Sequence, residues 1–352
     1  MFDINNILRD NIKVLTPYSS ARDEFKGTAE IFLDANENSF GSPASATFNR
    51  YPDPLQRSLK EKISSIKGVP AHNIFLGNGS DEPIDLLYRA FCNPGKDNVI
   101  ITPPTYGMYE VSANINDVFV KRAPLLPNFQ LDIDLIGSLI SPQTKLIWIC
   151  SPNNPTGNSM HREDIELLLN NFNGIVVVDE AYINYSRSKS MIAELVEYPN
   201  LVVLQTLSKA WGLAGLRIGM AFASEDIIEI LNRIKPPYNI SEIAQREALL
   251  SLDNIEQVNN WIRTTVKERE MLTTNLKQLA FVKQVYTSDA NFLLVKFEDP
   301  RKVYHYLVGK GIIVRDRSSV LLCDGCLRIT VGTPDENIKL LKELSDYSLV
   351  KS

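Results

Sequence analysis

The stretch LVVLQTLSKAWGLAGLRIGMAFA, residues 201–223, decides the fold class. Its two ends, 201–205 and 218–223, are short apolar runs that barely alternate, the pattern of strands buried on both faces of a sheet. Between them lies a loop of small residues carrying one lysine. Upstream, KLIWIC (145–150) and GIVVVD (174–179) read the same way. REDIELLLN (162–170) and SDEPIDLLYRAF (80–91) instead space their apolar residues for helices, the second placing Ile84, Leu87, Tyr88 and Phe91 on one face. Strands alternating with helices predict an α/β unit with a mostly parallel central sheet sandwiched by helices.

Working downstream, the texture changes after Pro236, Pro237 and Tyr238. Residues 241–279 read as one long helical stretch, polar at many positions and suited to crossing between domains. Beyond it NFLLVKF (291–297), GIIVR (311–315) and CLRITV (326–331) read as strands, with a helix over 303–308, giving a smaller α+β unit. The expected division is an N-terminal arm, 1–27, that packs with the small domain and contributes to the substrate site; a large domain, 28–240; and a small C-terminal domain, 241–352.

Lys and Arg total 37 against 42 Asp and Glu, a net charge of −5, so no electrostatic footprint for a nucleic-acid backbone exists and small-molecule chemistry is the expectation. Residues 1–15 carry Asp3, Asn5, Asn6, Arg9 and Asp10, which breaks any apolar signal-peptide core, and no apolar run reaches the ~20 residues of a membrane span. Cys92, Cys150, Cys323 and Cys326 sit in a chain large enough to fold without disulfides, which fits a reduced cytoplasm. No metal site is expected. Cys323 and Cys326 form a C-x-x-C ahead of a strand with no second ligand pair, and His72, His161 and His305 lack ligand spacing.

Four segments carry chemistry. Lys209 has Thr206 and Ser208 beside it and Arg217 eight residues on, a cluster able to hold a phosphorylated aldehyde. A lone loop lysine would be a solvated charge, but a desolvated or cation-flanked one becomes a nucleophilic amine. Asp179 ends a buried strand, where open α/β sheets place ligands; it could cap the next helix or keep a pyridine nitrogen protonated, with Tyr182 three residues on. The turn Gly77, Asn78, Gly79, Ser80, Asp81 enters a helix whose free N–H groups suit an anion, though Ser80 equally suits an ordinary N-cap. Ser151 to Gly157 (SPNNPTG) makes a rigid turn after a strand, and Asn154 can present its amide there.

In their order and spacing, NNPTG, DEAY and SKAWGLAGLRIG resemble the fold-type I aminotransferases that use pyridoxal 5'-phosphate (PLP). The resemblance implies Lys209 as the Schiff-base lysine, Asp179 as partner of the pyridinium, and Asn154 and Tyr182 as partners of the cofactor's 3-hydroxyl. It implies a phosphate site from Gly79, Ser80, Asp81, Thr206, Ser208 and Arg217. Tyr106, in PPTYG, falls where the family stacks an aromatic on the ring, and Arg328 where it grips a substrate anion.

LTPYSSAR (15–22), LDANENSFG (33–41), RYPDP (50–54), GSDE (79–82) and GIIVRD (311–316) narrow the likeness to the histidinol-phosphate aminotransferase family, over nearly the whole chain. Ser39 departs from that family's usual proline, a matter of loop stiffness. The resemblance implies a homodimer in which Tyr51 reaches the PLP phosphate of the neighbouring subunit, and it places Tyr18, Asn36, Asn154, Arg315 and Arg328 at the substrate. Histidinol phosphate has no carboxylate and must be oriented by its phosphate; the same arginines would then receive glutamate and 2-oxoglutarate. An aromatic aminotransferase, a threonine-phosphate decarboxylase and a catalytically idle PLP-fold regulator are the alternative readings.

Overall fold

A computed structural model describes residues 2–18, 30–44 and 48–351. Ser19 to Arg22 of the LTPYSSAR segment and the expected boundary at 27/28 lie outside the described residues.

Seven strands form the larger sheet: β1 (Ile74–Asn78), β2 (Asn98–Ile101), β3 (Phe119–Arg122), β4 (Thr144–Cys150), β5 (Ile175–Asp179), β6 (Leu201–Thr206) and β7 (Ile218–Phe222). Their order is β1-β7-β6-β5-β4-β2-β3, with β7 antiparallel to both neighbours and the other pairings parallel. Strands β5 and β6 are buried along their whole length. The pleat divides their side chains between two apolar layers. Val176, Val178, Leu201 and Val203 enter one; Ile175, Val177, Val202 and Leu204 enter the other. That two-sided burial explains why the runs read as continuous and not alternating. Strands β1, β2 and β3 are additions by the structure.

The smaller sheet is antiparallel, in the order β10-β11-β9-β8, from β8 (Val282–Val285), β9 (Phe292–Phe297), β10 (Arg315–Asp316) and β11 (Cys326–Thr330). Leu272 and Leu276 of the helix Ile255–Leu276, Val303 and Leu307 of the helix Pro300–Gly309, and Leu340 and Leu344 of the helix Pro334–Lys351 close a separate core on it.

Two expectations are corrected. The stretch 241–279 is two helices, Glu242–Leu252 and Ile255–Leu276, broken at Asp253 and Asn254. Asp and Asn favour helix ends. The break lets Ala248 and Leu252 pack in the large-sheet core while Leu272 and Leu276 pack in the small one. Of the expected strand 311–315 only Arg315 pairs, in β10. The N–H groups of Gly311 and Ile312 instead donate to Val308 and Leu307, closing the preceding helix, with Gly311 at φ +75°. Among the described residues no helix is long and apolar enough to cross a membrane.

Candidate active site

The parallel strands β4, β5 and β6 all end at one edge, and the turns leaving them meet the small sheet across a cleft of about 760 Å³. Ser80, Asp81, Tyr106, Asn154, Asp179, Tyr182, Thr206, Ser208, Lys209, Arg217, Arg315 and Arg328 line it. Residues up to 248 apart in the chain are thus brought together. Tyr18, Asn36 and Tyr51 are exposed and stand outside this wall. Glu37 links the loops of the last two, accepting from Tyr51 N at 2.7 Å and Arg50 Nη1 at 2.6 Å.

One corner is built by close backbone approach. Gly79 N donates to Arg217 O at 2.6 Å, and a Cβ at Gly79, which has φ +73°, would stand 2.5 Å from Arg217 Nη2. Across the same junction a Cβ at Gly219 would stand 2.1 Å from Ser80 N. Only glycines allow the turn before the helix Asp81–Phe91 to sit against β7. Ser80 makes no side-chain capping bond, so its ordinary N-cap role is not the one the structure adopts. Thr206 Oγ1 and Ser208 Oγ lie 3.0 Å apart, and Arg217 Nη2 reaches Asp81 Oδ2 at 3.5 Å. Hydroxyls, helix N–H groups and a guanidinium therefore converge at one corner of the cleft.

The acid and the amine occupy the middle. Asp179 is buried at the end of β5 and accepts from Tyr109 Oη at 2.7 Å and from Ala181 N at 3.0 Å. Burial pushes its carboxyl above the usual range, while Tyr109, the Ala181 N–H and Lys209 oppose that rise. Lys209 Nζ stands 5.5 Å from the centre of the Tyr182 ring. Desolvation lowers its pKa below the ordinary lysine value; Arg328 and Arg217 add to the shift, and Asp179 and Asp81 oppose it. The lysine is held closer to its neutral, nucleophilic form.

The opposite wall comes from the small sheet. Arg328 Nη1 donates to Asn154 Oδ1 at 2.5 Å and its guanidinium lies 5.2 Å from the Phe292 ring centre. The Asn154 NH₂ remains available as a donor. Tyr182 packs edge-on against the same Phe292 at 5.2 Å; burial raises its phenol pKa, and Arg328 and Arg317 pull against that rise. Tyr106 Oη donates to Asp81 Oδ1 at 3.0 Å, and its ring meets Tyr109 edge-on at 5.5 Å.

Tyr109, Gly219, Phe292 and Arg317 belong to the site and escaped the sequence reading. Tyr109 lies in the first turn of the helix Met108–Ile115, and Tyr106, just ahead of that helix, meets it edge-on. Gly219 closes the SKAWGLAGLRIG segment, but the reason it must be glycine is a turn 140 residues upstream. A second cavity, of about 590 Å³, touches Glu180 behind β5. That acid is already bonded by Met191 N, Ser190 and Gln205, and the cavity lacks a comparable constellation.

PLP fits this cleft by its donor chemistry: an anion corner whose close packing requires glycine at 79 and 219, a buried carboxylate and an amine of lowered pKa lining one cleft, and the Asn154 NH₂. The sequence matches the family described as aminotransferase class I and II over residues 24–344. It is 55% identical over 346 residues to a histidinol-phosphate aminotransferase of Cytophaga hutchinsonii, covering 98% of this chain and 99% of that one. The fold is similar to the crystal structure of the histidinol-phosphate aminotransferase from Clostridium acetobutylicum, with a TM-score of 0.79, 26% identity, and 86% and 91% of the two chains covered. The enzyme of that name from Sinorhizobium meliloti, solved in complex with pyridoxal-5'-phosphate, shares the fold at a TM-score of 0.77 and 22% identity, over 89% and 90%. Site geometry and family match agree: the chain belongs to the class I and II aminotransferases.

Proposed function

We propose that this cleft carries out histidinol-phosphate aminotransferase chemistry, moving the amino group from L-histidinol phosphate to 2-oxoglutarate to give imidazole-acetol phosphate and L-glutamate, a step of histidine biosynthesis. The observation that carries the reading is a lysine of lowered pKa and a buried carboxylate facing a wall of arginines across one cleft. When bound, PLP supplies a carbonyl carbon for an amine to occupy and a charged ring that accepts the electron pair left at the substrate carbon.

The chain's own groups do the rest. Asp179 would hold the proton of the ring nitrogen, with Tyr109 fixing the carboxylate. Asn154 and Tyr182 would bond the 3-hydroxyl and Tyr106 would cover the ring. Gly79, Ser80, Asp81, Thr206, Ser208 and Arg217 would form the phosphate cradle. Lys209 Nζ removes and returns the proton on the substrate's amine-bearing carbon, a task its depressed pKa suits. Arg315 and Arg328 would take the substrate phosphate in one half-reaction and the carboxylate of glutamate or 2-oxoglutarate in the other.

The working unit in this reading is a cytoplasmic homodimer, divided into the arm 1–27, the large domain 28–240 and the small domain 241–352. Exposed Val14, Leu15, Ile31, Leu33 and Phe40 support a second copy as the cover of the N-terminal region, where Tyr18, Asn36 and Tyr51 also face outward. Tyr51 and Asn36 would then serve the neighbouring site. The test is amino transfer from histidinol phosphate to 2-oxoglutarate, run beside phenylalanine and threonine phosphate with CO₂ release scored. Preference for either rival substrate overturns the proposal, and so does a protein that binds PLP but turns over none of them.

A further inference from the structure

We infer that Arg317 is a specificity-determining residue, the third guanidinium of an arginine wall that distinguishes a phosphate dianion from a carboxylate; the inference rests on the function proposed above. Arg315 and Arg317 are two residues apart on one extended segment, and such residues share a face. Arg328 is the direct cross-strand partner of Arg315, so it shares that face as well. Arg317 N donates to Cys326 O at 3.0 Å, carrying the pairing one step past β10. All three side chains line the cleft that holds Lys209.

Placing like charges opposite one another on a sheet is unfavourable. Here nothing neutralises it: among the described residues none of the three guanidiniums takes part in an ion pair, and Arg328 is held by the neutral Asn154 and the Phe292 ring. Arg317 Nε is buried without any hydrogen-bond partner. Burial and the charges of Arg328 and Arg315 all act against the Arg317 cation. A buried donor without a partner is costly, and an anionic occupant of the cleft would relieve both that cost and the repulsion.

The size of the relief depends on the anion. A carboxylate carries one charge and two oxygens, which a single guanidinium can satisfy in a fork. A phosphate monoester carries up to two charges above its second pKa of about 6 and offers three oxygens. Two arginines suffice for the first, whereas the third has work only with the second. Arg317 therefore favours the phosphorylated substrate over glutamate at a site that must accept both.

The experiment compares kcat/KM for histidinol phosphate and for glutamate in the wild type, Arg317→Gln and Arg317→Lys, each loaded with PLP. In Arg317→Gln the ratio of the two constants should fall at least about tenfold, the scale of one hydrogen bond to a charged group. Arg317→Lys should recover part of it, since lysine restores charge but not the fork. The wild-type KM for histidinol phosphate should drop as pH rises through about 6 and the dianion forms, and Arg317→Gln should blunt that drop. An unchanged ratio, or equal losses on both substrates, overturns the inference while the functional reading stands. Failure of the wild type on histidinol phosphate overturns that reading instead. If Arg317→Gln does not fold, the ratio and pH response of Arg317→Lys decide the matter by the same criteria.

Discussion

On the wall built by the large sheet, Asp179 receives Tyr109 and the Ala181 N–H, and Asp81 receives Tyr106 and Arg217. On the wall built by the small sheet, Arg315, Arg317 and Arg328 share one face, and among the described residues none of the three is in an ion pair. The first wall resolves its charges internally, as suits a cofactor that stays; the second leaves positive charge waiting, as suits an occupant that changes between half-reactions. The same contrast bears on Lys209, which lies between the walls and is pushed toward neutrality chiefly by desolvation and then by Arg328.

The largest way to break the comparison is to remove the group both walls serve. Lys209→Ala should lower turnover by about 10⁴-fold or more, because one amine supplies both the covalent anchor and the proton transfer. The protein should stay folded and still retain PLP noncovalently, as checked by circular dichroism and by absorbance after gel filtration. Wild-type turnover in this variant would refute the assignment.

Next comes the acid of the large-sheet wall. Asp179→Ala should slow proton abstraction by on the order of 10² to 10³-fold, the scale of one preorganised electrostatic group. Single-turnover kinetics with substrate deuterated at the reacting carbon should then show an isotope effect on the slow step. Tyr109→Phe removes only a supporting bond and should cost about tenfold. An Asp179→Ala variant with the wild-type abstraction rate would leave that wall without its central charge.

The arginine wall offers a test of sign. A cation near an amine disfavours its protonated form, so removing Arg328 should raise the pKa of Lys209. The acidic limb of the pH–rate profile should therefore move to higher pH in Arg328→Gln and stay nearer its place in Arg328→Lys, which keeps the charge. Substrate affinity should also weaken, by about 2 to 5 kcal/mol in Arg328→Gln. A limb that moves to lower pH contradicts the coupling between the walls.

The last test concerns a residue on neither wall. Tyr51 stacks on Tyr238 with ring centres 4.4 Å apart, so a packing role within its own subunit is the competing explanation. Tyr51→Phe should weaken PLP retention by about 1.5 to 3 kcal/mol if its hydroxyl serves a neighbouring phosphate. Mixing Tyr51→Ala with Lys209→Ala subunits should regenerate activity, since one site of each hybrid dimer has neither defect. Verified hybrids as inactive as their parents would restrict Tyr51 to its own subunit.

The local sequence determined the α/β architecture and most of the large-sheet wall. Apolar runs such as 174–179 and 201–205 have no stable place except between two packed layers; Asp179 ends such a run, and Asn154 and Lys209 each lie four residues past one. Strand and site are therefore read in one glance, because a strand end is a local property. Tertiary structure alone decided the helix break at Asp253 and Asn254 and the use of 311–312 to close a helix. It also decided that Tyr109 supports Asp179, that Gly219 must yield space to Ser80, and that Arg317 joins Arg315 and Arg328. Those facts depend on which distant segments pack together: hydrophobic periodicity records that a face is buried, but not which residue lies against it.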